Sequence, residues 1–280
     1  MAKILFDIPA GGQIDWQNCQ LVLEISQHIF SYVVMNEEKE AICIRVYETD
    51  VPNYRELAAE LEEIIFEDEI LKEKAVPAIV MYNFPECQLV PSNYFQSNAA
   101  ADLIALLYGD LNHGIILNEK IKEFDKYNVF RVPIEVHHLF QRVFVNGKYW
   151  HYYSVWLQCM QQAPEAASEY ISVLFYPNRI LVACLKNNRP QLLQSFLYEV
   201  VEDVAYYLLN ICDQLNFSPV TTLVKLSGMI DESSALYSEI HKYFGQTSLD
   251  VFPVLSPAAG FDEYPPHFFS PLLKLAACVS

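Results

Sequence analysis

One order of apolar runs occurs twice in this chain, and that repetition limits the folds open to it. "LVLEISQHIFSYVVMNEEKEAICIRVYE", Leu21 to Glu48, reads as three short strands with an acidic turn, Asn36 to Glu40, between the last two. In "NYRELAAELEEIIFED", Tyr54, Leu57, Ala58, Leu61, Ile64 and Ile65 recur at helical spacing with carboxylates opposite. Pro77 stops any helix, and "AIVMY", Ala78 to Tyr82, has the length and continuous apolarity of a buried parallel strand. The second half returns to the same order. It runs "YISVLFY", a turn at Pro177 and Asn178, "RILVACL", a break at Asn187 and Asn188, "PQLLQSFLY", the helix "EVVEDVAYYLLNICDQL" and the strand "TLVKL". Leu57 and Leu61 lie as far ahead of "AIVMY" as Val201 and Ala205 lie ahead of "TLVKL". The pattern predicts an α/β fold of two lobes, each built on a β-β-β-α-β unit, with residues 1–147 in the first and 148–280, including a tail, in the second.

Between the units the sequence predicts a helix from Asn98 to Leu107, strands "HGIILN" and "NVFRV", and a helix "PIEVHHLFQRVF" that can cross from lobe to lobe. Beyond "TLVKLSGMI" a helix from Glu232 to Phe244 leads to "LDVFPVL". The tail, "SPAAGFDEYPPHFFSPLLKLAACVS", is proline-punctuated and aromatic, so it is expected to wrap the surface before its last apolar residues dock.

Charge and cysteine usage narrow the setting. With 35 acidic against 18 basic residues the formal charge is -17, which repels phosphate backbones, so no nucleic-acid partner is expected. Cys19, Cys43, Cys87, Cys159, Cys184, Cys212 and Cys278 are scattered without a C-x-x-C pair, and read as small buried hydrophobes in a reducing compartment. The start "MAKILFDIPAGG" is too short in apolar residues for a signal peptide. No run reaches the roughly 20 apolar residues of a membrane helix, so no membrane insertion is expected. The setting predicted is the cytoplasm.

A duplicated unit of three antiparallel strands, helix and strand resembles the actin, hexokinase and Hsp70-chaperone fold, whose lobes close on a nucleotide. The chain also resembles a family of bacterial proteins of unknown function, found in Bacteroidetes, that has this actin-like fold. The resemblance runs from the opening strand through "ALLYGDLNHGIILN", the second hairpin, "LSGMI" and "HFFSPLLKL", nearly the whole chain. It implies ATP and magnesium as the superfamily's ligands. In active members the first hairpin carries an Asp followed one residue on by Gly, so that magnesium is held and backbone approaches phosphate. The corresponding stretch here is Glu24-Ile25-Ser26. Glu24 retains a carboxylate and Ser26 a donor, but Ser26 carries a Cβ at the close approach. The second hairpin, "SVLFYPNRI", offers neither Asp nor Gly. Where superfamily members place paired glycines after a strand, "VKLSGMI" has Gly228 alone, which also suits a plain turn. These departures predict a non-catalytic interaction or scaffold module with no cofactor. The alternative implied by the resemblance is a nucleotide-binding ATPase related to pilus-assembly and cell-division actin homologues.

Other motifs carry less. His137 and His138 are helix neighbours that point in different directions, so they do not share a metal, and no metal site is expected. Gly147-Lys148 lacks the upstream glycine of a phosphate loop and reads as a turn, and Asp7 to Gly12 reads as an N-terminal loop following no strand. No nucleophile-elbow motif places a serine. Aromatic residues make up 14% of the chain and cluster in "YWHYYSVWLQCM". Tyr149, Trp150, Tyr152, Tyr153 and Trp156 either fill the lobe junction or form a protein-binding surface. On the second reading, Tyr149, Trp150, Tyr153 and Trp156 are the anchors, with His267 and Phe268 in the tail as candidates to extend the patch.

Overall fold

Leu21, Val22 and Leu23 are wholly buried, as a strand covered on both faces must be. The computed structural model, which describes residues 2–49, 51–72, 78–109, 114–162, 167–252 and 260–279, sets them at the centre of a mixed sheet. The chain divides into two compact units. The first comprises Met1–Gln158, Val254–Phe261 and Leu275–Ser280, and the second Cys159–Pro253 and Asp262–Lys274.

In the first unit, β1 (Lys3–Ile8), β2 (Cys19–Ile25), β3 (Ile29–Asn36) and β4 (Ala41–Glu48) lead to α1 (Tyr54–Glu67) and β5 (Ala78–Tyr82). An insertion follows: β6 (Cys87–Pro91), α2 (Ala100–Tyr108), β7 (Gly114–Ile121) and β8 (Lys126–Pro133). Then come α3 (Ile134–Val143), β9 (Lys148–His151) and α4 (Tyr152–Gln162), whose last residues belong to the second unit. The main sheet has the order β1-β4-β3-β2-β5-β9, and the insertion forms a three-stranded sheet, β6-β8-β7. Two strands differ from expectation. Lys3 to Ile8 pair with β4 as an edge strand, so the loop expected from Asp7 to Gly12 does follow a strand and begins only at Pro9, and Arg45 clamps Asp7 through Nε at 2.9 Å and Nη2 at 3.0 Å. Lys148, read with Gly147 as a turn, instead opens the strand Lys148 to His151 after a turn at Val145 and Asn146, and this strand pairs parallel to β5, so the first sheet continues past residue 147. The helix expected to pass between lobes, α3, packs on α1, with Arg142 Nη2 2.6 Å from Glu62 Oε1.

Helix α1 starts where Asn53 Oδ1 accepts from the Glu56 N–H at 3.0 Å, and it buries Leu57, Leu61, Ile64 and Ile65. Immediately after it, Asp68 is buried and surrounded by donors. Its Oδ2 accepts from Tyr32 (2.9 Å), Tyr47 (2.6 Å) and Arg45 Nη1 (2.7 Å), and its Oδ1 from the Ile70 and Leu71 N–H groups. Burial pushes this carboxyl up, but the Tyr47 hydroxyl, the Leu71 N–H, Tyr32 and Arg45 together hold it below the usual range.

In the second unit, β10 (Glu169–Phe175), β11 (Arg179–Lys186), β12 (Arg189–Leu197), α5 (Val201–Leu215), β13 (Leu223–Gly228), α6 (Ala235–Tyr243) and β14 (Gln246–Leu249) precede α7 (Ser270–Val279), whose end returns to the first unit. The sheet order is β12-β11-β10-β13-β14. Asn187 and Asn188, with φ of 50° and 59°, make the two-residue loop between β11 and β12 that a tight hairpin demands. Ile171, Val173, Val182, Val204, Leu208 and Leu226 form its core.

The duplication extends to single hydrogen bonds. Ser26 N–H donates to Ile29 O at 2.9 Å, and Tyr176 N–H to Arg179 O at 2.9 Å. Thr49 N–H reaches His28 O at 3.0 Å, and Tyr198 N–H reaches Asn178 O at 3.1 Å. Asn83 N–H meets Ile25 O at 2.7 Å, and Met229 N–H meets Phe175 O at 2.9 Å. β2–β5 and β10–β13 are both parallel pairs, ending at Ile25 opposite Tyr82 and Phe175 opposite Gly228. Each unit even adds a further parallel strand, β9 beside β5 and β14 beside β13.

Candidate functional site

The bond correspondence assigns positions. Ile25 matches Phe175, so Glu24 matches Leu174, Ser26 matches Tyr176, and Tyr82 matches Gly228. Glu24, 3% exposed near the end of β2, accepts from Asn83 Nδ2 at 2.7 Å. Ser26 spends both its groups on its own turn. Its hydroxyl donates to Ile29 O at 3.0 Å and accepts from the Ile29 N–H at 3.0 Å, while its N–H meets the same carbonyl. Thr49 pins the far side of the turn by donating to Gln27 O at 2.8 Å.

The equivalent turn in the second unit has no acid at Leu174, and Tyr176 occupies the place of Ser26. Tyr176 is buried, the Arg179 guanidinium lies 5.1 Å from its ring centroid, and its carbonyl accepts from Tyr198 at 3.0 Å. Gly228 is required by backbone geometry. Its φ is +82°, and an added Cβ would meet Phe175 O at 2.5 Å. The β13–β10 pairing therefore accounts for this glycine within its own unit. Among the described residues, no group of three or more His, Cys, Asp or Glu is placed to hold a metal ion.

The aromatic cluster is mostly interior. Tyr153 and Trp156 on α4 are 1% and 6% exposed, too buried to serve as accessible anchors, because α4 turns them into the core. Tyr149 is half-buried, stacks on Tyr82 with centroids 6.1 Å apart, and donates to Phe140 O and Phe144 O. Trp150 is also half-buried. In the tail, His267 is buried with Nε2 2.6 Å from Ile230 O, and Phe268 is half-buried beside it. His137 is buried with Nδ1 2.8 Å from the Tyr82 hydroxyl, and burial pushes its pKa down, helped by His138. Cys43, Cys87, Cys184 and Cys212 are buried free thiols, raised by burial, Cys43 to about 12 and Cys212 to about 11, but Cys19 is half-buried, and Cys159 and Cys278 are disulfide-bonded, which departs from the expectation of seven reduced cysteines.

Two features had no signal in the sequence. Glu119 on β7 accepts from the His151 N–H at 3.0 Å and bonds to Ser154, whose Oγ accepts from Asn128 Nδ2 at 3.0 Å. Burial pushes the Glu119 carboxyl up to about 7, against the opposing pull of Ser154 and His151. The second feature is an apolar groove on the insertion. β6 and α2 frame a cavity of about 500 Å³ lined by Tyr94, Leu103 and Leu107 among others, with Tyr94 74% and the neighbouring Leu106 83% exposed. Apolar residues in "ALLY" suggest a helix but do not tell which of them lack a covering layer.

A family model described as protein of unknown function (DUF3822) matches residues 13–246. No curated protein matches the chain. Among solved structures, a Bacteroides thetaiotaomicron protein with actin-like ATPase fold and unknown function is similar over 94% of this chain and 99% of its own, with TM-score 0.77 and 18% identity. A chain of the PilM-PilN type IV pilus biogenesis complex matches with TM-score 0.60 and 11% identity, covering 93% of this chain and 98% of that one. The ethanolamine utilization protein EutJ from Carboxydothermus hydrogenoformans matches with TM-score 0.54 and 8% identity, covering 96% and 92%. The fold is actin-like.

Proposed function

Since this chain belongs to the DUF3822 family, we propose from its geometry that it is a non-catalytic actin-like protein, a cytoplasmic interaction module whose working surface lies outside the phosphate hairpins. The observation that carries this reading is the turn at Ser26. A phosphate cradle needs N–H and O–H groups that are free to meet the ligand. The Ser26 hydroxyl and N–H both close on Ile29, and Glu24 is tied to Asn83. The equivalent residues of the second unit, Leu174 and Tyr176, bring neither a carboxylate nor an open backbone. The groups present do not fit a magnesium nucleotide, and no catalytic step is assigned to them.

Tyr94, Leu103 and Leu107, which line the groove, and Leu106, which lies exposed outside it, supply the surface instead. Tyr94, Leu106 and Leu107 are exposed, and a few large anchors supply most of the energy of a protein interface. A structural neighbour of this fold is seen in a complex, PilM with PilN, which supports interaction as a role the fold performs. Among the described residues no helix is long and apolar enough to cross a membrane.

The test is affinity capture from the native cell with wild type and with Leu106→Asp and Leu107→Asp, each checked for unchanged melting. The reading predicts at least one partner that is captured by wild type and lost with the variants. Capture of every partner by all three proteins would contradict the surface assigned.

A further inference from the structure

We propose that the second unit pairs with a second copy of this chain through the outer edge of β12, the two strands running antiparallel about a twofold axis at Ser195. The internal duplication points to this edge. Thr49 matches Tyr198 in the duplicated bonds, so Glu48 back to Ile44 match Leu197 back to Leu193. In the first unit that stretch of β4 is covered by β1, which pairs antiparallel from Lys3 opposite Glu48 to Ile8 opposite Ile44. In the second unit β12 ends the sheet, and among the described residues no strand pairs with its outer side. The edge that takes a strand in one unit is open in the other.

The backbone of that edge is ready for a partner strand. Tyr198 N–H bonds to Asn178 O, and the bonding residues of an antiparallel pair alternate. Phe196, Gln194 and Leu192 therefore face β11, while Leu197, Ser195 and Leu193 turn their N–H and C=O groups outward. Among the described residues those outward N–H groups have no partner. Leu197 O accepts from the Tyr207 hydroxyl at 3.0 Å and Ser195 O meets Gln194 Nε2 at 3.4 Å, and each carbonyl keeps a second lone pair. None of the 9 residues of β12 is buried, whereas Ile180 to Leu185 of β11 all are. Sheet edges are commonly guarded by charge or proline. β12 has Arg189 and Pro190 at its start, but Gln191 to Leu197 include neither kind of guard.

Self-complementarity selects a second copy as the occupant. With Ser195 facing its own counterpart, Leu193 of each copy lies opposite Leu197 of the other, so the outward backbone groups pair off and leucine meets leucine. The charges fit the same direction. Arg189 is exposed at one end of the strand, and the exposed Glu199 and Glu202 follow the other end, so antiparallel pairing brings Arg189 of each copy towards the acidic end of its partner. Apolar residues flank the edge as well. Leu197, Val200 and Tyr206 are 67%, 53% and 65% exposed, and Tyr206 packs on Tyr207, which bonds to Leu197. The formal charge of -17 opposes self-association, but such repulsion is screened beyond about 8 Å at physiological salt. It gives the contact a signature, since added salt should strengthen it. The edge belongs to the second unit, and its test is independent of the groove on the insertion.

The experiment is sedimentation velocity of the full chain across protein concentration and salt. The proposal predicts a monomer–dimer equilibrium with a dissociation constant on the order of 10 µM, weak because a strand pair buries less than a standard interface, and tighter at about 0.5 M than at about 0.05 M salt. Ser195→Pro removes an outward N–H and leaves the bonds to β11 in place, so it should weaken the dimer by about tenfold or more with melting little changed. Oxidative cross-linking reads the position of the axis and serves also where Ser195→Pro fails to fold. Ser195→Cys should form a covalent dimer well above the wild-type background, and Gln191→Cys, exposed on the same strand but away from the axis, should not. A monomer at every concentration, a dimer indifferent to Ser195→Pro in a folded protein, or cross-linking of Gln191→Cys equal to that of Ser195→Cys would overturn the proposal.

Discussion

The Ser26 hydroxyl and the Ile29 backbone satisfy each other completely: Oγ donates to Ile29 O at 3.0 Å and accepts from Ile29 N–H at 3.0 Å. A side chain that reads as a spare phosphate donor in the sequence thus acts as a turn clamp. Ser26→Ala removes both bonds in a buried setting and should lower stability by about 1 to 2 kcal/mol. Urea unfolding measures this, with an unchanged m-value marking a simple loss of stability. A neutral effect would mean that the turn does not need the hydroxyl.

Gly228→Ala should be more damaging than a helix or strand glycine would suggest. The residue must take φ +82°, and its new Cβ would press on Phe175 O. Strain of this kind costs on the order of 1 to 3 kcal/mol before any contact is counted. Thermal unfolding should show a clear fall in Tm, and an unchanged Tm would mean that β10 and β13 shift apart without penalty.

Asp68→Asn should cost about 3 kcal/mol, because it leaves Arg45 and two tyrosine hydroxyls facing a weaker acceptor. The folded carboxyl is held below its unfolded value, so its contribution is present above the unfolded pKa and disappears as pH falls through the folded one. Wild type should therefore lose stability on acidification, and Asp68→Asn should lose less over the same range. Parallel acid profiles for the two proteins would remove Asp68 from the explanation.

Glu119 has the opposite sign. With its folded pKa raised to about 7, the protonated form favours the fold, and that advantage is full below the unfolded pKa and lost as pH rises through about 7. Glu119→Gln should flatten the decline between about pH 4.5 and 7, and should gain on the order of 2 kcal/mol over wild type at pH 8. Tm measured across this range checks it. Equal slopes for both proteins would show that the carboxyl is ionised throughout.

The sequence exposed the parts of the fold whose pattern is local. Leu21 to Ile25 and Ala78 to Tyr82 are apolar at every position but Glu24, and α1 and α5 carry a clear buried stripe, so both β-β-β-α-β units were legible. β1 and β9 were not, because an edge strand with half-exposed residues takes its definition from its neighbour. The aromatic run was ambiguous for a related reason. Tyr149 and Tyr153 are the same residue type four positions apart, and only the orientation of α4 sends Tyr153 into the core. At the candidate site, the residue types at Glu24, Ser26 and Gly228 were visible, but their hydrogen-bond commitments depend on Asn83, Ile29 and Phe175, which no local pattern connects to them.

The central claim is that the phosphate hairpins no longer serve a nucleotide, and calorimetric titration of the full chain with magnesium ATP tests it most directly. The account predicts no saturable binding tighter than millimolar, and correspondingly little rise in Tm with added nucleotide. A micromolar dissociation constant that Glu24→Ala abolishes would contradict it and put a nucleotide-binding ATPase in its place.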